Sequence, residues 1–256
     1  MQANFTHIIL IIFAAFGLYE SVVLQERIYL DPDHIDYFVL DPAEFDPDST
    51  NARIFQYSPF GRKKEAVYRR GIREEDGAPI IIASSDNSIS TVTTPIKADP
   101  DIFRYIEWEW KIESVLPSGN MTKKEGDDFA ARVYVTFDYD PSNLSFSDRI
   151  KYRLYRTFTS FEIPLRSLNY VWGNEPDKVG ATGPNPFSDW VQYVVVQSGN
   201  ENAGKWFTEK RNLFEDYRMV YGEDPPMISG ITIMTDSDNT GESTRAYFGK
   251  ITLSKD

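Results

Sequence analysis

Ile106-Glu107-Trp108-Glu109-Trp110-Lys111-Ile112 alternates large apolar side chains with charged ones at every step. Successive side chains of a strand point to opposite faces, so this run predicts a strand with Ile106, Trp108, Trp110 and Ile112 buried and Glu107, Glu109 and Lys111 on a polar face. Phe129 to Phe137 repeats the pattern, with Phe129, Ala131, Val133, Val135 and Phe137 on one side and Arg132, Tyr134 and Thr136 on the other. A strand with one polar face belongs to sheets packed on sheets, because parallel strands covered on both faces read as continuous apolar runs.

Working outward, further strands are predicted at Leu168–Trp172, Val191–Gln197, Ile228–Thr235 and Arg245–Leu253. Glu65–Arg73 and Pro79–Ala83 flank Asp76-Gly77, a hairpin turn pair. Ser88–Ile96 alternates and ends before Asp99-Pro100. Two helices interrupt, at about 147–158 with Ile150, Leu154 and Phe158 four apart, and at about 205–221, closed by Gly222 and Pro225-Pro226. The expected fold is all-β dominated: an antiparallel, jelly-roll-like β-sandwich with two packed helices.

The apolar run Ile8–Tyr19 has the length of a signal-peptide core, although no Lys or Arg precedes it and no small-residue cleavage site follows. Residues 1–24 are therefore read as a signal peptide or N-terminal anchor, a membrane tether that makes the protein exported: periplasmic, envelope-anchored or secreted. A buried or interfacial helix is the alternative. Residues 25–53, acidic and broken by Pro32, Pro42 and Pro47, read as a linker or loosely packed arm, and 54–256 as the folded domain.

Composition narrows the chemistry. There is no Cys, and the two His, His7 and His34, precede the predicted domain. Thiolate metal sites, cysteine nucleophiles, imidazole bases and Ser-His-Asp triads are thereby disfavoured. A net charge of -12 would repel a polyanion, so no nucleic-acid partner is expected.

Several ordered blocks resemble the bacterial domain of unknown function DUF3047: Ile106 to Trp110, Gly126-Asp127-Asp128-Phe129 to Val135, Tyr170-Val171-Trp172, Ser198-Gly199 with Trp206, Asp216-Tyr217 with Gly222 and Pro225-Pro226, and Gly230 through Asp236–Gly241 to Tyr247. The resemblance spans about Ile81 to Leu253. It implies an exported bacterial β-sandwich akin to carbohydrate-binding modules. It implies no reaction and no catalytic residues.

The carboxylates offer two readings. Glu107 and Glu109 share a strand face about 7 Å apart. If the two alternating strands pair, Arg132 and Tyr134 join them, with Asp127 and Asp128 at the rim. Such a face fits a sugar-binding surface, or a glycosidase using Glu107, Glu109 or Asp127 as paired acid and base; Tyr170 and Trp172 either add rings to that surface or, as most such aromatics do, fill the core. The alternative is a solvated face with cross-strand ion pairs. Asp236-Ser237-Asp238-Asn239-Thr240-Gly241 resembles the first half of a calcium loop, making Asp236, Asp238 and Asn239 candidate ligands. Tyr247 stands where an EF-hand loop places its Glu, and a plain turn uses the same residues. The basic clusters Arg62-Lys63-Lys64 with Arg69-Arg70, and Arg149, Lys151, Arg153 and Arg156, are solvated faces or contacts for anionic lipid or acidic polysaccharide. The leading expectation is a non-catalytic module for polysaccharide or cell-envelope glycan, calcium bracing a loop. A glycoside-active enzyme and a structural envelope protein are the alternatives.

Overall fold

The computed structural model describes residues 27–48, 56–59, 63–158 and 165–256. The N-terminal segment 1–24 and Arg62 lie outside them, as do the side chains of Arg156 and Phe158.

Fourteen strands among the described residues form two sheets that enclose one core. The first, eight-stranded, runs β1 (Ile28–Tyr29), β6 (Ile89–Ala98), β13 (Ile228–Asp236), β8 (Arg132–Phe137), β9 (Ser167–Gly173), β11 (Ser188–Ser198) and β10 (Thr182–Asn185), with β3 (Gln56–Pro59) also on β6. The second, six-stranded, runs β12 (Phe207–Asn212), β7 (Tyr105–Ile112), β14 (Ser243–Ser254), β5 (Pro79–Asp86) and β4 (Val67–Ile72), with β2 (Tyr37–Leu40) also on β14. The sandwich is thus as expected, except that β1 with β6 and β9 with β11 pair in parallel.

The alternating faces decide what fills the centre. Trp108 and Trp110 from β7 meet Tyr170 and Trp172 from β9 across the sheets, with ring centroids 5.0 Å apart for Trp108–Tyr170 and 5.7 Å for Trp110–Trp172. All four are fully buried, as are Val133, Val135 and Leu168. Each ring removes a large apolar area from water, which is how a chain of modest hydrophobic content fills this core. The predicted hairpin is present, with Gly77 at φ 75 in the left-handed region that its turn requires.

Three expectations need correction. The span 205–221 is not one helix. Phe207–Asn212 is an edge strand on β7, and helix α2 (Leu213–Tyr221) begins after Asn212, whose side chain caps the Glu215 N–H at 3.1 Å. The strand hides because its inward positions are Phe207, Glu209 and Arg211: an edge tolerates charge facing in, and Glu209 reaches across to accept from Gln197 at 2.8 Å. The acidic stretch is also no free arm, since β1 and β2 add to the two sheets and Leu30, Leu40 and Phe45 enter the core. Finally, helix α1 (Phe146–Phe158) leaves Phe146, Ile150 and Leu154 exposed, and Tyr152 touches the fold through Trp190.

Candidate functional site

The polar residues separate according to sheet. Glu107 and Glu109 lie on the outer face of the second sheet, while Arg132 and Tyr134 lie on the outer face of the first. β7 and β8 never pair, so the expected single polar face does not exist. Alternation shows which side of a strand meets the core, and both strands obey it, but it does not say which sheet each joins. Glu107 sits opposite Lys210, an ordinary cross-strand ion pair position. Glu109 takes a bidentate contact from Arg73, at 3.1 and 2.7 Å, and that guanidinium also stacks 4.0 Å from the Trp206 ring centroid. A carboxylate held in this way is unsuited to proton transfer. Tyr170 and Trp172 are core residues, with Tyr170 donating to Asp216 at 2.8 Å and Trp172 to the Gly199 carbonyl at 3.1 Å. They cannot form a sugar platform.

On the first sheet, however, the acidic pair before β8 does meet the loop after β13. Arg132, buried, donates from Nε to Asp236 Oδ1 at 2.8 Å and from Nη2 to Asp236 Oδ2 and to the Asp127 carbonyl. Its Nη1 reaches Asp127, Tyr134 and Tyr193. Asn185 donates to Asp127 at 2.7 Å, and Tyr193 donates to the same carboxylate. Asp128 accepts from the Asn239 and Thr240 backbone N–H groups and from the Asn239 amide. Successive N–H groups of the β13–β14 loop thus cup this carboxylate.

Burial sets the electrostatics. Desolvation pushes the Asp127 and Asp236 carboxyls upward against the opposing pull of Arg132. Desolvation alone would lower Arg132, but Asp236 and the other acidic neighbours outweigh it and hold the guanidinium charged. Asn239, read as a metal ligand, uses its side-chain nitrogen to donate to Asp128 and to the Asp127 carbonyl. The carboxylates that do converge are Asp128, Asp236 and Asp238. Tyr193, Asn185 and Phe129 complete the network. Phe129 stands on the outer face against Tyr193, not in the central core expected from its alternation, because the chain turns before Arg132.

Outside this network, a cavity of about 480 Å³ opens between α1, the β10–β11 turn and the end of α2. Tyr139, Phe187, Trp190 and Tyr221 supply its rings, and Asn143, Asp148, Lys151, Arg166, Ser188 and Asp189 its polar groups. Phe187, at the turn, is 49% exposed. Sequence reading missed this site because its residues come from turns and segment ends without periodicity. Of the basic clusters, Lys63 pairs with Asp238, Lys64 with Asp86 and Lys151 with Asp148.

The sequence matches the family described as "Protein of unknown function (DUF3047)" over residues 55–252. The chain belongs to the DUF3047 family. Among curated proteins none matches it. Solved structures similar to this DUF3047 chain include a family 11 carbohydrate-binding module of cellulosomal cellulase Lic26A-Cel5E of Clostridium thermocellum, at 10% identity and TM-score 0.39, covering 87% of this chain and 96% of that one. Another is the xyloglucanase domain of NopAA, a type three effector from Sinorhizobium fredii, at 11% identity and TM-score 0.37, covering 82% and 100%. A third is the glycoside hydrolase domain of Endo-D from Streptococcus pneumoniae R6, at 10% identity and TM-score 0.35, with 79% of this chain but only 22% of that one.

Proposed function

We propose that this DUF3047 chain is an exported, non-catalytic glycan-binding module whose ligand seats in the cavity beside α1. The observation that carries the reading is the composition of that cavity. A pyranose presents apolar C–H faces together with hydroxyls that both donate and accept. Phe187 offers an exposed ring, with amide, hydroxyl, carboxylate and cationic groups around it, while Trp190 is buried and Arg166 stacks on Tyr139 and Tyr221. Its volume of about 480 Å³ is within the range of small-ligand sites. Phe187 is the natural stacking ring, because it is half exposed and fills no core.

The cavity carboxylate Asp148 suits a binding role. A hydrogen bond from Ser145 and the Lys151 ammonium hold it below the ordinary carboxylate range. Ionised, Asp148 can accept from sugar hydroxyls. Export rests on the apolar run Ile8–Tyr19.

The test is a glycan array followed by calorimetry on the full chain. At least one oligosaccharide should bind, and Phe187→Ala and Asp189→Ala should each weaken it by about tenfold or more with an unchanged melting temperature. Failure of the wild type to bind any arrayed glycan at millimolar concentration, or release of reducing sugar from a bound one, would overturn the reading.

A further inference from the structure

A second site lies at the junction of the β13–β14 loop with the segment before β8, and none of its three carboxylates lines that cavity. One carboxylate oxygen each from Asp128, Asp236 and Asp238 lies within 4.8 Å of the others. Oxygens bound to a common calcium ion at about 2.4 Å stand no more than about 4.8 Å apart, so the three can share one ion.

Three acids together are common on protein surfaces, but these are not on the surface. Asp128 and Asp236 are fully buried. The Asp238 side chain is 5% exposed, and its Oδ1 is buried without any hydrogen-bond partner while Oδ2 pairs with Lys63. A buried carboxylate oxygen left unsatisfied is costly, and here it belongs to the very group that converges on two other carboxylates.

Charge points the same way. Asp127, Asp128, Asp236 and Asp238 are gathered around the cations Arg132 and Lys63. With all four carboxylates ionised that leaves an excess of about two negative charges, and holding it away from water in that form needs a compensating positive charge. The donor set consists of oxygen only, which suits a hard cation. An irregular, largely dehydrated carboxylate cluster suits calcium rather than magnesium, which demands octahedral geometry and retains its waters.

We infer that Asp128, Asp236 and Asp238 bind a calcium ion, with Asp238 Oδ1 its free ligand, tying the β13–β14 loop to the start of β8. The site is separate from the glycan cavity, so either reading stands if the other fails.

The experiment uses the full chain freed of metal by chelation and dialysis. Calcium chloride titrated in a calorimeter should bind one per chain, and saturating calcium should raise the melting temperature by several degrees, with magnesium giving a clearly smaller shift. Asp238→Asn should remove the calcium response. Lys63→Ala, a substitution at an exposed residue that will not prevent folding, should tighten calcium binding by freeing Oδ2. A wild type that shows neither binding heat nor a melting shift at 5 mM calcium, about fivefold above the weakest extracellular sites, overturns the inference. So does a Lys63→Ala protein that is merely destabilised and still indifferent to calcium, since a purely structural ion-pair network predicts that result.

Discussion

Arg132 and Asp236 form a buried fork, the guanidinium on β8 gripping the carboxylate at the end of β13 through Nε at 2.8 Å and through Nη2. Neighbouring strands of one sheet are thereby joined by charge as well as by their ladder. The fork also fixes where the β13–β14 loop leaves the sheet.

Removing the cation should therefore cost far more than a surface ion pair would. Arg132→Met leaves Asp236 and Asp127 buried without their counter-charge, and an uncompensated buried charge costs about 3–5 kcal/mol. Urea unfolding at pH 7 followed by circular dichroism checks it. A loss under about 1 kcal/mol would show that the carboxylates reach another cation or solvent.

The aromatic stack between the sheets makes a second prediction. Trp110 packs edge-on to Trp108 at 5.5 Å and lies 5.7 Å from Trp172. Trp110→Ala should destabilise by about 3–5 kcal/mol through the cavity it leaves. Thr208→Ala on exposed β12 should shift stability by no more than about 0.5 kcal/mol. Equal effects from the two would contradict the β7 register.

These contrasts show what the sequence could and could not convey. β7, β8 and β14 were legible because one face of each is apolar and the other polar, and the core rings Trp108 and Trp110 followed directly. Tyr170 and Trp172 carry the same signal through Leu168-Asn169-Tyr170-Val171-Trp172, whose alternate members face inward, and the core is the one of their two readings that holds. β12 was illegible because Glu209 and Arg211 face the interior at an edge. The convergence of Asp127, Asp128, Arg132 and Asp236 was readable from acidic pairs at strand ends. That Glu107 and Glu109 would be on the opposite side of the sandwich was not, because strand pairing is settled by long-range contacts that no local pattern encodes. Of the cavity beside α1, only Lys151 stood in a legible cluster, because its other groups come mostly from turns and segment ends without periodicity.

Two buried asparagines should respond in opposite ways. Asn174 accepts the Leu116 N–H at 3.0 Å and donates to the Asp128 carbonyl at 2.8 Å. Asn169 is equally buried, but neither atom of its side-chain amide has a partner. Asn174→Leu should cost about 2–3 kcal/mol by orphaning two backbone groups, whereas Asn169→Leu should be close to neutral or stabilising. Chemical denaturation of both variants decides; the reverse order would mean that Asn169 is satisfied by bound water.

Glu209 gives the pH dependence. It faces inward from β12, and burial raises its pKa above the ordinary glutamate value. The folded state therefore holds this proton more tightly than the unfolded chain does. For a carboxyl raised in this direction, stability is greatest below the unfolded pKa and is lost as pH rises through the folded one, so ionised Glu209 is a liability at neutral pH. Glu209→Gln keeps an acceptor for Gln197, whose Nε2 donates to Oε1 at 2.8 Å, while removing the charge. The variant should be more stable than the wild type at pH 7 by a few tenths of a kcal/mol up to about 1 kcal/mol, because the residue is only partly buried and water screens it. At about pH 3.5, below the usual glutamate pKa, the two proteins should converge. Melting curves of both at the two pH values make the comparison. A variant less stable than the wild type at pH 7, with the gap closing in acid, would mean that a nearby cation stabilises the ionised carboxylate and that burial does not control it.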